Sequence, residues 1–322
     1  MTQSENTPKP ARWKIILAFA TIYLVWGSTF LAIRVGVREV PPFLYAAIRF
    51  TIAGLAIYLF MIARGEKSPT ARQWSAATLL GAVIFLCDYG LLFWTERRVP
   101  SGIAAVMLAT IPVWLSMAEI IVLRTLRMTP RLAIALAVGV GGVAVLMSRS
   151  LAIGGAPVDR AGAVALIIAS ISWSVASVIT RKLPLPESKV MSSGAQMLTG
   201  GVLLGVAALA LGEFRGFDFA SVSREAWLAL AYLIVAGSIV AFTAYVWLIH
   251  HESPTKVGTY AYVNPVVAVI VGYFFGGEKL DARTLLGSAC VLLSVIVITM
   301  GKGKKERAAE PLTIAAQEKA RV

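Results

Sequence analysis

The sequence has little charge, little cysteine and little histidine, and each shortage excludes a class of protein. Only 15% of the 322 residues are charged, whereas 58% are hydrophobic, which is outside the usual range of soluble domains. Two cysteines, Cys87 and Cys290, both lie in apolar runs, so neither a disulfide framework nor a metal site is indicated. The two histidines, His250 and His251, are adjacent in sequence. The composition predicts a polytopic membrane protein.

Motifs for catalysis and for nucleotide binding are also missing. The sequence contains no H-E-x-x-H, no G-x-S-x-G and no P-loop, so we predict no enzymatic activity, no cofactor and no direct coupling to ATP. The net charge is +13, but the basic residues stand singly or in small groups between apolar runs. Such a distribution is typical of membrane topology signals rather than of a nucleic-acid-binding face.

The apolar residues form ten runs of membrane-spanning length separated by short polar connections. We therefore predict an all-α integral membrane protein with ten transmembrane helices. Residues 1–14 form a polar N-terminal tail and residues 301–322 a basic C-terminal tail. The ten runs cover about residues 15–34, 41–63, 73–94, 101–123, 131–148, 161–180, 190–211, 226–248, 256–275 and 283–300.

An internal repeat relates the two halves of the chain. Trp26, followed by Arg34 eight residues later, matches Trp173 with Arg181 at an offset of 147, and the same offset pairs Gly54 with Gly201. Trp94 and Pro112 match Trp247 and Pro265 at an offset of 153. The repeats are predicted to cover residues 15–150 and 151–300. Because each holds five helices, the second copy enters the membrane from the opposite side and the repeat is inverted.

The distribution of Lys and Arg predicts the orientation of the chain. The side that holds both termini carries 19 of these residues and the other side carries ten. The excess comes from the two tails and places both termini in the cytoplasm.

Pro112 and Pro265 each lie about ten residues into a predicted helix, near the middle of the bilayer. A proline there removes one helical hydrogen bond and favours a kink, leaving the carbonyls of Leu108 and Ala261 without their usual donors. A packing kink and a functional hinge are both compatible with this pattern. The occurrence of the feature at the same depth in both halves favours hinges around a central site.

Four polar residues within the apolar runs are candidates for substrate binding: Arg49, Asp88, Gln196 and Asn264. A charge at this depth costs at least ~2.5 kcal/mol on insertion scales. At ~1.5 Å rise per residue, Arg49 and Asp88 lie about 9 to 12 Å below the same face. They could therefore form a salt bridge that merely neutralises both, or bind the carboxylate and amino group of a substrate. The larger amides of Gln196 and Asn264 have more hydrogen-bonding sites to satisfy than hydroxyls do.

Aromatic residues provide a second set of candidates. Trp26 and Trp173 occupy matching positions in the two repeats, Tyr89 adjoins Asp88, and Trp114 shares a predicted helix face with Thr110. We predict that all four contact substrate.

Several short motifs accompany the ten predicted helices and the repeat: Trp26-Gly27-Ser28 with Arg34, Ile48-Arg49-Phe50, Asn264-Pro265 and Gly277-Glu278. In this combination the sequence resembles the EamA-type transporters of the drug/metabolite transporter superfamily over about residues 15–300. Leu126 stands near the position of the first repeat that corresponds to Glu278, which argues against a symmetric functional pair there. The resemblance implies a bacterial-type inner-membrane exporter of small metabolites that works by alternating access.

The combined prediction is export of small, partly apolar metabolites, with amino acids, including aromatic ones, as the leading candidates. A multidrug or cationic-compound exporter, a channel and a scramblase-like pore are the alternatives. The expected partners are a small-molecule substrate and the lipid bilayer, without nucleic acid. The sequence leaves direction, coupling ion and oligomeric state open, with a monomer as the working expectation.

Overall fold

The computed structural model describes residues 11–118, 120, 128–147, 159–252, 257, 259–280, 282, 284–294, 296 and 297. The predicted C-terminal tail, residues 1–10 of the predicted N-terminal tail and Leu126 lie outside these residues.

The described residues form helices joined by short connections, and no strand occurs among them. Seven helices are long and apolar enough to cross a membrane, which confirms an all-helical membrane protein. Three further helices contribute shorter apolar stretches, Pro130–Gly142, Val263–Gly276 and Thr284–Ser294. In chain order the helices are α1 (Arg12–Val37), α2 (Pro42–Ala63), α3 (Ala71–Glu96), α4 (Ser101–Ala118), α5 (Pro130–Met147), α6 (Arg160–Ile179), α7 (Lys189–Ala210), α8 (Arg224–Leu248), α9 (Tyr260–Gly276) and α10 (Thr284–Ser294).

Several helices begin at residues whose side chains satisfy the first free N–H groups. Thr70 and Gln73 form a reciprocal capping box at the start of α3. The side chains of Asp159, Ser188 and Ser223 accept from the backbone at the starts of α6, α7 and α8. The local sequence therefore sets where these helices begin.

Two helix starts are also bound by glutamates that are distant in sequence. Glu213, just after α7, accepts from the backbone N–H groups of Leu44 (2.8 Å) and Phe43 (3.4 Å) in α2. Glu39, between α1 and α2, accepts from the backbone N–H (2.6 Å) and hydroxyl (2.7 Å) of Ser223. Burial raises the pKa of Glu213, against the opposing effect of its hydrogen bonds, whereas the bonds from Ser223 lower the pKa of Glu39. Both contacts lie at the end of the protein where α1 ends. We call this end, after the basic residue in the last turn of α1, the Arg34 end.

Helices α2 and α7 pack closely because each places a glycine against the backbone of the other. A Cβ atom on Gly54 would lie 2.3 Å from the backbone nitrogen of Leu198, and one on Gly201 would lie 2.4 Å from that of Thr51. Small residues let membrane helices approach until their backbones touch. This contact holds α2, and Arg49 with it, against the second half of the chain.

Candidate functional site

A central cavity of about 240 Å³ lies between the helices. Residues from eight helices, α1–α4 and α6–α9, form its wall. Pro265 is part of the wall. The wall also includes seven of the eight residues that the sequence predicts for substrate binding: Trp26, Arg49, Asp88, Tyr89, Trp173, Gln196 and Asn264.

Arg49 is the cation of this cavity wall, and its side chain is buried (3% exposed). Its Nε donates to the Ser238 hydroxyl at 3.0 Å, and its guanidinium lies 4.7 Å from the ring centre of Phe50 and 5.7 Å from that of Tyr89. Its Nη1 has no hydrogen-bond partner within the described part of the chain. The site therefore holds a desolvated cation whose hydrogen-bonding capacity is only partly used.

Asp88 is equally buried (3% exposed), and its Oδ1 also lacks a hydrogen-bond partner among the described residues. The sequence left open a salt bridge with Arg49. No ion pair joins these two side chains in the described residues, because the Arg49 guanidinium is directed onto Ser238 and the aromatic rings. In this structure the two side chains therefore do not neutralise each other by an ion pair, and each keeps a polar atom without a hydrogen-bond partner in the described residues.

Two π-helical segments shape the wall around Arg49. Residues Gly81–Tyr89 interrupt α3 and residues Leu233–Val240 interrupt α8. The first segment contributes Asp88 and Tyr89, and the second contributes Ser238. Single-turn π distortions are frequent at functional sites because they shift the side chains that follow out of helical register.

Gly237, in the second π segment, makes room for the Arg49 side chain. A Cβ atom there would lie 3.1 Å from Thr29 Cγ2 and 3.2 Å from Arg49 Nη2. The carbonyl oxygen of Gly237 accepts from Trp26 Nε1 at 3.1 Å. This glycine therefore positions both the cation and one aromatic wall.

The two amide side chains have different environments. Gln196 Nε2 donates to Ser192 one turn earlier on α7, at 3.0 Å. Asn264 is buried, and its Oδ1 has no hydrogen-bond partner in the part of the chain that the structure describes. Asn264 therefore has a buried acceptor that no described residue satisfies, whereas Gln196 is partly engaged within its own helix.

An aromatic group covers another part of the wall. The Trp26 ring lies 5.3 Å from Tyr245 and 5.3 Å from Tyr260, and the two tyrosines are 5.9 Å apart. Trp173 packs edge-on against Tyr89 at 6.3 Å. Such rings provide a flat apolar surface that also attracts cations.

Trp114 and Pro112 are not part of the wall. Helix α4 is interrupted at Ala109 and Thr110, next to Pro112, and Trp114 Nε1 donates to Thr110 at 3.0 Å on its own helix. The structure therefore places Trp114, which the sequence predicts to contact substrate, outside the residues that line this cavity. Helix α9, in contrast, is continuous through Pro265.

Comparison with known proteins identifies the family. The model of the EamA-like transporter family matches residues 13–148 and 160–300. This chain belongs to that family. The EamA membership confirms the resemblance seen in the sequence and the general role of a transporter.

Individual relatives agree with this assignment. The Escherichia coli K12 protein named uncharacterized inner membrane transporter YedA is 36% identical over 287 residues, which are 88% of this chain and 90% of YedA. Protein PecM of Dickeya dadantii is 24% identical, covering 85% of this chain and 88% of PecM. A solved crystal structure with 21% identity covers 92% of this chain and 100% of that chain at a TM-score of 0.60, which shows a shared fold.

Sequence reasoning missed several residues of the cavity in this EamA transporter. Ser238, Tyr245 and Tyr260 line the wall, yet none was predicted. One signal was available for Ser238, because Gly237-Ser238 is a small, polar interruption of an apolar run. The two tyrosines lie near predicted helix ends, where an interfacial anchor is the usual interpretation.

Proposed function

We propose that this EamA transporter is an inner-membrane secondary transporter that exports small, partly apolar metabolites, with amino acids as the leading substrates. One observation carries the proposal: the buried Arg49 and Asp88 line a single aromatic cavity, and each has a polar atom without a hydrogen-bond partner in the described residues. Buried charges are costly unless they are paired, so a ligand with complementary charges would be stabilised there.

A zwitterion with an apolar side chain matches the three kinds of group in the wall. Its carboxylate would accept from Arg49 Nη1, its ammonium would donate to Asp88 Oδ1 and Asn264 Oδ1, and its side chain would contact Trp26 and the neighbouring tyrosines. Charge-assisted hydrogen bonds are stronger than neutral ones, and their strength increases in a desolvated site. Polyvalent ions lack matching groups, because the wall has one cation and one anion.

Alternating access between two inverted repeats, residues 15–150 and 151–300, is the mechanism we propose. Two close α2–α7 contacts, Gly54 against Leu198 and Gly201 against Thr51, are related by the offset of 147 that also relates Trp26 to Trp173. The π segments begin at Gly81 and Leu233, 152 residues apart, close to the offset of 153 between later helices. These correspondences support the proposal that equivalent elements of two repeats rock about a central site.

Pro112 and Pro265 are the proposed hinges. The interruption of α4 at Ala109 and Thr110 supports movement at the first of them, because a helix without continuous hydrogen bonds bends more readily.

A cationic-compound exporter is the second candidate, and the observation that favours it is the position of Asp88 in a wall rich in aromatic rings. An organic cation would use the carboxylate and the ring faces but would leave Arg49 unpaired. A rigid channel or scramblase-like pore is the competing mechanism.

The test is counterflow into proteoliposomes. Vesicles loaded with an unlabelled amino acid should accelerate the entry of labelled amino acid, and the exchange should saturate. Pro112→Ala and Pro265→Ala should slow exchange more than they weaken binding. Flux that rises linearly without exchange would contradict alternating access, and saturable exchange of cationic drugs but not of amino acids would identify the second candidate.

The proposed topology places both termini in the cytoplasm and the Arg34 end in the periplasm. A reporter fused after Arg64 should therefore be cytoplasmic and one fused after Gly154 periplasmic. Finding both fusions on one side would contradict the inverted repeat.

A further inference from the structure

Helix α4 begins at a carboxylate supplied by the segment after α9. Glu278 Oε1 accepts from the backbone N–H and hydroxyl of Ser101, both at 2.6 Å, and Oε2 accepts from the Gly102 N–H at 3.0 Å. Gly277, with a φ of 64°, ends α9 in the left-handed conformation. A Cβ atom on Gly272 would lie 2.6 Å from Glu278 Oε2, so the absence of a side chain there leaves space for the carboxylate.

Arg34 connects the same contact to α1. Its Nε lies 3.7 Å from Glu278 Oε1, and its Nη1 donates to the carbonyl of Val99 in the turn before α4. Helices α1, α4 and α9 therefore meet at one closed contact at the Arg34 end. We call this contact the Arg34–Glu278 latch.

Glu96, the last residue of α3, is a second carboxyl group beside this latch. Its side chain is completely buried, and neither carboxyl oxygen has a hydrogen-bond partner in the described residues. The charged groups that act on it are Arg34 of α1 and Glu278. Of the helices packed around it, α6 presents Asp159, which is paired with Arg98 at 3.3 Å, and α2 presents Arg49, which is bonded to Ser238.

Two carboxyl groups thus share one cation. An ionised carboxylate that is buried without hydrogen bonds is strongly destabilised, so such a group is neutralised by a proton or gains a charged partner. Arg34 already contacts Glu278 in this conformation. The remaining carboxyl group, Glu96, is therefore the one that must hold a proton while the latch is closed.

We propose that Glu96 is a proton-binding site that controls the latch and couples transport to protons, an inference that rests on the proposed transport function. When Glu96 releases its proton to water at the Arg34 end, its carboxylate takes Arg34 as partner. Glu278 then loses its cation, the cap on α4 weakens, and α9 separates from α1. Binding of a proton reverses the exchange and closes this end. One ion pair is present in both states, Arg34–Glu278 when the latch is closed and Arg34–Glu96 when it is open. In the open state Glu278 keeps its negative charge and is hydrated as the two helices separate.

The test measures the opening of the latch without any substrate. Spin labels are attached to Arg38→Cys and Lys279→Cys, two exposed positions on either side of the latch, after replacement of Cys87 and Cys290. Distance distributions are recorded in lipid nanodiscs at pH of about 5 and about 8. The longer-distance population should rise with pH, by up to about tenfold per pH unit within the titration of a single group.

Two substitutions separate a proton site from a merely structural carboxyl. Glu96→Gln keeps the shape of the protonated side chain and should hold the short distance at both pH values. Glu96→Asp keeps a titratable group and should retain the response to pH. A parent protein whose distances do not change with pH, or a Glu96→Gln variant with the response of the parent, would overturn the proposal. Since no substrate is present, a wrong substrate assignment would leave this result unaffected.

Discussion

Gly237→Ala tests how closely the cavity wall is fitted to Arg49. The added Cβ atom would lie 3.1 Å from Thr29 Cγ2 and 3.2 Å from Arg49 Nη2, so neighbouring atoms must move by a few tenths of an ångström. Thr29 is buried and its hydroxyl is bonded to the Trp26 carbonyl at 2.6 Å. The end of the long Arg49 side chain is easier to displace, so the displacement falls on the group that we propose binds the substrate carboxylate.

The expected effect follows from the cost of overpacking, about 1 to 3 kcal/mol. If most of this free-energy cost weakens substrate binding, the half-saturation concentration for counterflow should rise by about 5- to 150-fold. The thermal midpoint of the protein in detergent should change much less, because the helix itself tolerates alanine.

Gly205→Ala is the matched control. Its Cβ atom would meet only the Cβ of Ala47 at 3.8 Å, an ordinary contact, so transport should remain normal. Alanine should also increase stability by about 0.5 to 1 kcal/mol, because glycine loses more conformational freedom on folding. A Gly237→Ala variant with wild-type half-saturation would refute the assigned role of the Arg49 guanidinium.

Two further substitutions concern the fold rather than the site. Gly54→Ala would place a Cβ atom 2.3 Å from the Leu198 backbone and should lower the thermal midpoint far more than Gly205→Ala does; equal midpoints would contradict the close α2–α7 contact. Glu39→Gln should lower thermal stability at neutral pH, because the bonds from Ser223 depress the pKa of Glu39 below 4.5. The stabilisation by the Glu39 carboxylate is present above the unfolded-state pKa and is lost as pH falls through the lowered folded-state pKa. A difference in thermal midpoint between Glu39→Gln and the parent that persists in strong acid would contradict this explanation.

The sequence was sufficient to predict the class of fold and several of the polar and aromatic residues of the cavity wall. A charged residue such as Arg49 or Asp88 in a long apolar run must face protein or water whatever the tertiary structure. Trp26 and Trp173 were predicted to contact substrate because they occupy matching positions in the two halves, and both line the cavity. These inferences depend on hydrophobicity and periodicity, which a sequence displays directly.

The sequence could not predict which way side chains point in helices that are interrupted or contain π segments, nor how separate helices pack together. Trp114 was assigned to the cavity by its helical spacing from Thr110, but this part of α4 lines the wall with Ala109 and Ile111 rather than with Thr110 and Trp114. The pairing of Arg49 with Ser238 rather than Asp88 depends on a π segment in α8. The isolation of Glu96 depends on the packing of α1 and α9, to which the local sequence around it gives no clue.

The central claim is that the cavity binds a zwitterion through Arg49 and Asp88, and ligand discrimination in binding tests it most directly. Binding of a hydrophobic amino acid, its decarboxylated amine and its desamino acid is measured by calorimetry on the parent, Arg49→Gln and Asp88→Asn. The parent should prefer the amino acid to both analogues. Arg49→Gln should abolish the preference over the amine, and Asp88→Asn the preference over the desamino acid. If the parent binds the amine as tightly as the amino acid, or if neither substitution changes the order of affinities, the claim is contradicted.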